Sequence, residues 1–165
     1  DFADTLYKII EKYGVLPHEI ELEITESSLV EASMQSNVFN CLKNKGFYFS
    51  IDDFGTGYSS LQYLRCFPLS RLKIDRSFTK NIEYYDEALI LTKAIIAMID
   101  VLGLHVIAEG AETQAQIDIL DQIGCHAVQG FFFSHPLPKA SFEAFLKEHN
   151  VITRSLHVTP KTDIP

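Results

Sequence analysis

The chain is poor in the features that would give it a covalent or membrane-bound frame. Three cysteines occur, Cys41, Cys66 and Cys125, with no C-x-x-C pair. An odd number at wide spacing argues against a disulfide framework and a zinc site, and fits a reducing cytoplasm. Cys41 and Cys125 read as small buried hydrophobes. Long apolar runs are missing. The longest candidate, Ala88 to Leu104, is interrupted by Thr92, Lys93, Asp100 and Gly103, short of the roughly 18 apolar residues a membrane helix needs. No membrane contact is expected from this segment. Asp1-Phe2-Ala3-Asp4 is neither basic nor followed by an apolar block, so it does not read as a secretory leader. A basic face is missing too: the net charge is −8, and no Lys/Arg cluster points to a nucleic-acid polymer. An anionic small substrate stays open, because acids gather metal ions and the ions meet phosphate. Gly55-Thr56-Gly57 lacks the third glycine of a dinucleotide turn.

What is present is ample material for a core, 47% hydrophobic over 165 residues, a length of one domain or part of a larger one. Helix-period and strand-like segments alternate. Helices are expected over Phe2 to Tyr13, Ser27 to Asn44, Ser59 to Cys66, Tyr85 to Leu102, Thr113 to Ile123 and Lys139 to Glu148. Strands are expected over Ile20 to Ile24, Phe47 to Ile51, Arg71 to Ile74, Leu104 to Ala108 and Cys125 to Gln129. Residues 150–165 have no clear period and read as a tail. This alternation implies a parallel sheet with crossover helices, either an open doubly wound sheet or a (β/α) barrel.

Polar residues sit at the end of each strand in turn: Glu23 and Glu26, then Asp52 and Asp53, then Lys73 and Asp75, then Glu109 with Glu112 beyond it, then Gln129. Paired carboxylates before a glycine loop, Asp52-Asp53-Phe54-Gly55-Thr56-Gly57, suit a hard divalent cation; the alternative is an Asx turn with two glycines at positive φ. In a barrel all these ends meet at one mouth, where active sites lie. Each residue has a structural alternative. Glu26 and Glu112 stand where helix starts favour acids, and Gln129 before Gly130 could simply end a strand. Lys73 lies between Leu72 and Ile74 on the opposite side of its strand, where a lysine needs carboxylate or phosphate company. His105, His126 and His135 share no ligand spacing.

These residues carry a resemblance. Glu21-Leu22-Glu23-Ile24-Thr25-Glu26-Ser27, Asp52-Asp53-Phe54-Gly55-Thr56-Gly57-Tyr58-Ser59-Ser60-Leu61, Leu72-Lys73-Ile74-Asp75, Ala108-Glu109-Gly110-Ala111-Glu112-Thr113 and Gln129 to Pro138 occur in order and spacing similar to those of the EAL domain. That domain is the cyclic-di-GMP phosphodiesterase module of bacterial signalling proteins. The resemblance implies a modified TIM-type (β/α) barrel, here an incomplete one of about five parallel strands, in which residues 1–149 form the C-terminal portion. It implies Glu23, Asp52, Asp53 and Glu109 as ligands of Mg²⁺ or Mn²⁺, with Ca²⁺ inhibitory. Lys73 and Glu109 would be catalytic. Glu26, Gln129 and Glu112 would support substrate or site, Glu26 by anchoring the loop from Phe54 to Ser60.

Two departures stand out. The only Glu-Ala-Leu, Glu87-Ala88-Leu89, opens the long helix rather than ending an early strand, and the strand with the family's metal-binding Asn is absent. His135 stands where the family commonly has Arg or Lys. The implied activity is hydrolysis of cyclic-di-GMP to the linear dinucleotide by the intact domain, in the cytoplasm, as a homodimer and with upstream sensory or GGDEF-type domains. The fragment itself is expected to be inactive. The rival readings are a cyclic-di-GMP receptor without catalysis and a regulatory or dimerisation module.

Overall fold

The computed structural model describes residues 2–28, 36–57, 64 and 67–149. Helix α1 (Phe2–Lys12) leads through a 3-10 turn (Pro17–Glu19) to strand β1 (Glu21–Thr25). A second 3-10 turn (Glu26–Ser28) precedes α2 (Ser36–Asn44), β2 (Tyr48–Phe54), β3 (Arg71–Ile74) and the short α3 (Arg76–Thr79). The long α4 (Asp86–Val101), β4 (His105–Glu109), α5 (Gln114–Gln122), β5 (Val128–Gln129) and α6 (Lys139–Glu148) complete the order. The helix expected at Ser59 to Cys66 lies, Leu64 apart, outside the described residues, as do residues 29–35 of the one expected from Ser27 and the tail from Asn150.

The five strands form one sheet in the order β1-β2-β3-β4-β5, each pair parallel. A doubly wound sheet reverses its strand order at a switch point. This one does not, so the architecture is the incomplete (β/α) barrel.

The strands alternate by physical necessity. Leu72 and Ile74 are fully buried on the helix side, in a core shared with Ile51, Ile96, Ile99, Ala108 and Leu120. A second core joins Ala3 and Ile10 of α1 to Leu42 of α2 and to Phe47 and Phe49. Phe39 bridges the two, edge-on to Phe49 at 5.5 Å and to Phe67 at 5.2 Å between ring centroids. The other sheet face carries the polar set. The Glu21 carboxylate and the Arg71 guanidinium are bonded across β2.

Three elements differ from expectation. Strand β2 runs to Phe54 rather than stopping at Ile51. Strand β5 pairs only over Val128–Gln129, because Cys125 is drawn into the core and its thiol donates to the Ala127 carbonyl at 3.3 Å. Helix α3 starts at Arg76 because the Asp75 carboxylate caps it, accepting from the Ser77 N–H at 2.9 Å.

Candidate metal and phosphate site

Consecutive residues in a regular strand point to opposite faces. Asp52 and Asp53 escape that rule. The register of β2 against β3 slips between Ile51 and Phe54, and Asp53 has φ 54°. The extra residue is a bulge, and Asp is among the few side chains that tolerate this left-handed conformation. Carboxylate oxygens of Asp52, Asp53 and Glu109 consequently lie within 4.8 Å of one another. An all-oxygen donor set at this spacing fits a hard divalent cation and not a thiophilic one.

Lys73 occupies the centre. It is almost fully buried, and its Nζ donates to Glu109 Oε1 at 2.7 Å, Asp52 Oδ1 at 2.8 Å and Glu23 Oε1 at 3.0 Å. Burial alone would pull the ammonium's pKa down. The hydrogen bonds to Asp52, Glu109 and Glu23 outweigh it and hold the group above the ordinary lysine value, so it stays charged. Burial pushes the Glu109 carboxyl above its ordinary value. Lys73 pulls against that rise, and the charges of Asp52 and Asp53 add to it. The two shifts differ in origin, burial for Glu109 and carboxylate hydrogen bonds for Lys73, but several carboxylates share one ammonium and the cluster favours a further cation.

Glu26 sits beneath this cluster. Its buried carboxylate accepts from the N–H of Gly55 at 2.8 Å and of Gly57 at 3.0 Å. Gly55 is required twice over: φ is 100°, and a Cβ there would stand 2.4 Å from the Phe78 ring. A cleft of 530 Å³ opens beside the cluster. Asp53, Glu109, Glu112 and Gln129 line it, joined by Asp75 and Arg76, with Phe131 and His135 forming an aromatic wall. The His135 ring lies 4.1 Å from that of Phe131. Gln129 pairs in register with Glu109. A Cβ on Gly130 would meet the Ala111 carbonyl at 2.0 Å, so only glycine lets β5 leave the sheet there.

Glu23, Asp52, Asp53, Lys73 and Glu109 therefore meet at one end of the sheet, Gln129 and Glu112 border the cleft, and Glu26 lies under the glycine loop. Arg76 and Gln116 are not among the site residues expected from the sequence. The first had no distinguishing pattern. The second was visible as Thr113-x-x-Gln116, a capping box.

Residues 1–136 match the family profile described as "EAL domain". The chain belongs to the EAL domain family. Among curated relatives of this EAL chain, the cyclic di-GMP phosphodiesterase NbdA of Pseudomonas aeruginosa is 44% identical over 148 residues, 89% of this chain and 19% of that protein. Among solved structures, the PaMucR phosphodiesterase in complex with c-di-GMP is 36% identical with a TM-score of 0.78, over 84% of this chain and 57% of that one. The manganese/cy-diGMP complex of Klebsiella pneumoniae BlrP1 at pH 6 is 30% identical with a TM-score of 0.77, over 82% of this chain and 35% of that one. The chain spans about a fifth of the length of the curated relatives it matches. Among the described residues no helix is long and apolar enough to cross a membrane.

Proposed function

We propose that residues 1–149 are the C-terminal portion of a phosphodiesterase domain that hydrolyses one phosphodiester bond of cyclic-di-GMP to the linear dinucleotide, with Mg²⁺ or Mn²⁺. The observation that carries this reading is the bulge that brings Asp52 and Asp53 together with Glu109 around Lys73. Asp52, Asp53 and Glu109 would hold the cation, with Glu23 completing the acid rim. A divalent ion bound there supplies Lewis acidity, lowering the pKa of water and offsetting charge at phosphorus.

The chain's own groups do the rest. Lys73, charged and held by three carboxylates, has all three N–H bonds engaged; once a cation is held by Asp52 and Glu109, Lys73 can exchange one of them for a phosphate oxygen and stabilise the charge that develops as the bond to the leaving oxygen breaks. Glu109, the carboxylate bonded to Lys73, accepts the proton of the attacking water where it does not hold the cation. The glycine loop pinned by Glu26 keeps Asp53 in its strained conformation, and Gln129 and Glu112 face the substrate from the cleft. Upstream sensory or GGDEF-type domains and a homodimer belong to the same proposal.

The test is hydrolysis of cyclic-di-GMP by the protein carrying this domain, with Mg²⁺ and Mn²⁺, followed as formation of the linear dinucleotide. Asp52→Asn and Lys73→Ala are each expected to abolish turnover, a barrier increase of at least about 3–4 kcal/mol. Full activity in purified Asp52→Asn protein would refute the assignment. Tight ligand binding with no turnover in the wild type would favour the receptor reading.

A further inference from the structure

The Gln116 side chain is almost fully buried on the first turn of α5, and both ends of its amide are engaged. Its Oε1 accepts from the Glu112 N–H at 2.7 Å and from the Thr113 N–H at 3.2 Å. Its Nε2 donates to the Lys80 carbonyl at 3.4 Å. Thr113 returns the capping bond, its Oγ1 accepting from the Gln116 N–H at 3.1 Å, and its hydroxyl donates to Glu83. A capping box needs only the bond to the N-cap residue, Thr113. The shorter bond goes one residue further back, to Glu112. The same amide reaches Lys80, at the end of the short helix that begins with Arg76. Arg76 and Glu112 line the same cleft.

We propose that Gln116 is a positioning residue for Glu112, its amide holding the turn between β4 and α5 against the end of α3 so that the Glu112 carboxylate is presented to the cleft. The proposal rests on the phosphodiesterase reading above. It gives Gln116 a role that helix capping alone does not, because the tie spans two segments that border the cleft. Misplacement of a group by about an ångström costs up to about 100-fold in rate.

The experiment uses the protein carrying the whole domain, with cyclic-di-GMP and Mg²⁺. It compares Gln116→Glu, Gln116→Met, Glu112→Gln and the double variant Gln116→Met/Glu112→Gln. Gln116→Glu keeps the capping acceptor and loses the donor to Lys80; Gln116→Met loses both. The expected result is a roughly tenfold to 100-fold fall in kcat per folded molecule for Gln116→Met, with a smaller fall for Gln116→Glu. The double variant should be no slower than Glu112→Gln, because residues acting as one unit are not additive. Independently of turnover, the Glu112 amide should exchange with solvent faster in Gln116→Met. If Gln116→Met does not fold, Gln116→Glu carries the same cycle. Additive losses, or rate losses that only track the folded fraction, would make Gln116 a helix cap and nothing more. Unchanged exchange at Glu112 would overturn the tie itself. A wild type that never cleaves cyclic-di-GMP would instead sink the phosphodiesterase reading, while the exchange measurement still decides the tie.

Discussion

The Glu26 carboxylate accepts the backbone N–H of Gly55 at 2.8 Å, across 29 residues of chain. A buried carboxylate that satisfies the N–H groups of Gly55 and Gly57 fixes the path of the loop directly after Asp53. Hydrogen bonds to a charged group contribute about 1.5–3 kcal/mol each, and Gly55 and Gly57 are exposed, so their freed N–H groups can turn to water. Glu26→Ala is therefore expected to destabilise the fold by roughly 3 kcal/mol in urea denaturation. It should also weaken Mg²⁺ binding, because Asp53 keeps φ 54° only while its surroundings hold it. Unchanged calorimetric affinity for Mg²⁺ in a folded Glu26→Ala protein would separate the loop from the metal site.

Metal should stabilise the protein as well as activate it. Several carboxylates facing one ammonium repel one another, and a cation that binds the native cluster lowers that repulsion. At a concentration 100-fold above Kd the gain is about 2.7 kcal/mol, a rise of roughly 5–10 °C in Tm for a domain of this size. Thermal melts of the protein carrying the whole domain, with Mn²⁺ and then with excess EDTA, measure it. The increment should vanish in Asp53→Asn. A Tm indifferent to Mn²⁺ in the wild type would count against the cluster as a metal site.

Asp75 gives a pH dependence whose sign follows from its partners. Burial pushes the carboxyl up, but the hydrogen bonds from Ser77 and Arg76 and the Arg76 charge together outweigh it and hold the group below the ordinary aspartate value of 3.8. A depressed carboxylate stabilises the native state above the unfolded pKa and loses that contribution as pH falls through the folded one. Asp75→Ala should cost about 1 kcal/mol near neutrality, the usual worth of an N-cap. The gap to wild type should close below pH 3.8. Asp75→Asn, which keeps an acceptor, should retain most of the capping contribution. Parallel denaturation curves for wild type and Asp75→Ala at every pH would refute the assignment.

The strand ends were legible because period-2 burial and polar punctuation coincide there. Lys73 between Leu72 and Ile74 reads directly as a charge on the face opposite the helices, and the structure places it so. The bulge was not legible. Asp is disfavoured in strands, so β2 was expected to stop at Ile51. Ladder pairing carries it on to Phe54, because the Asp75 N–H bonds the Phe54 carbonyl at 3.3 Å. Helix α3 was missed because four residues show no period; only the Asp75-x-Ser77 cap marks it. Strand β5 is shorter than expected for the opposite reason: Cys125 to Gln129 has the composition of a strand, yet only Val128 and Gln129 have partners in register. Gln116 was unreadable as a positioning group because its decisive partner, the Lys80 carbonyl, is 36 residues away.

The 165-residue chain by itself is expected to be inactive and to self-associate. A closed barrel needs about eight strands, and this sheet has five. Among the described residues the outer edge of β1 has no paired strand, nor has that of β5. Unpaired strand edges are templates for another chain. Beyond β5, Phe131, Phe133 and Phe142 are each about half exposed, at 54%, 51% and 49%. Sedimentation of the isolated chain should show mass rising with concentration, and cyclic-di-GMP should survive incubation with it and Mn²⁺. Charged substitutions at Phe133 and along the β1 edge, away from the residues that line the cleft, should restore the monomer without restoring turnover, because association and the open sheet are separate defects. A wild-type chain that sediments as a monomer at high concentration would show that these edges are not exposed in solution. Turnover by that chain at rates typical of phosphodiesterases, roughly 1 per second or more, would show that Asp52, Asp53, Lys73 and Glu109 suffice without a further strand.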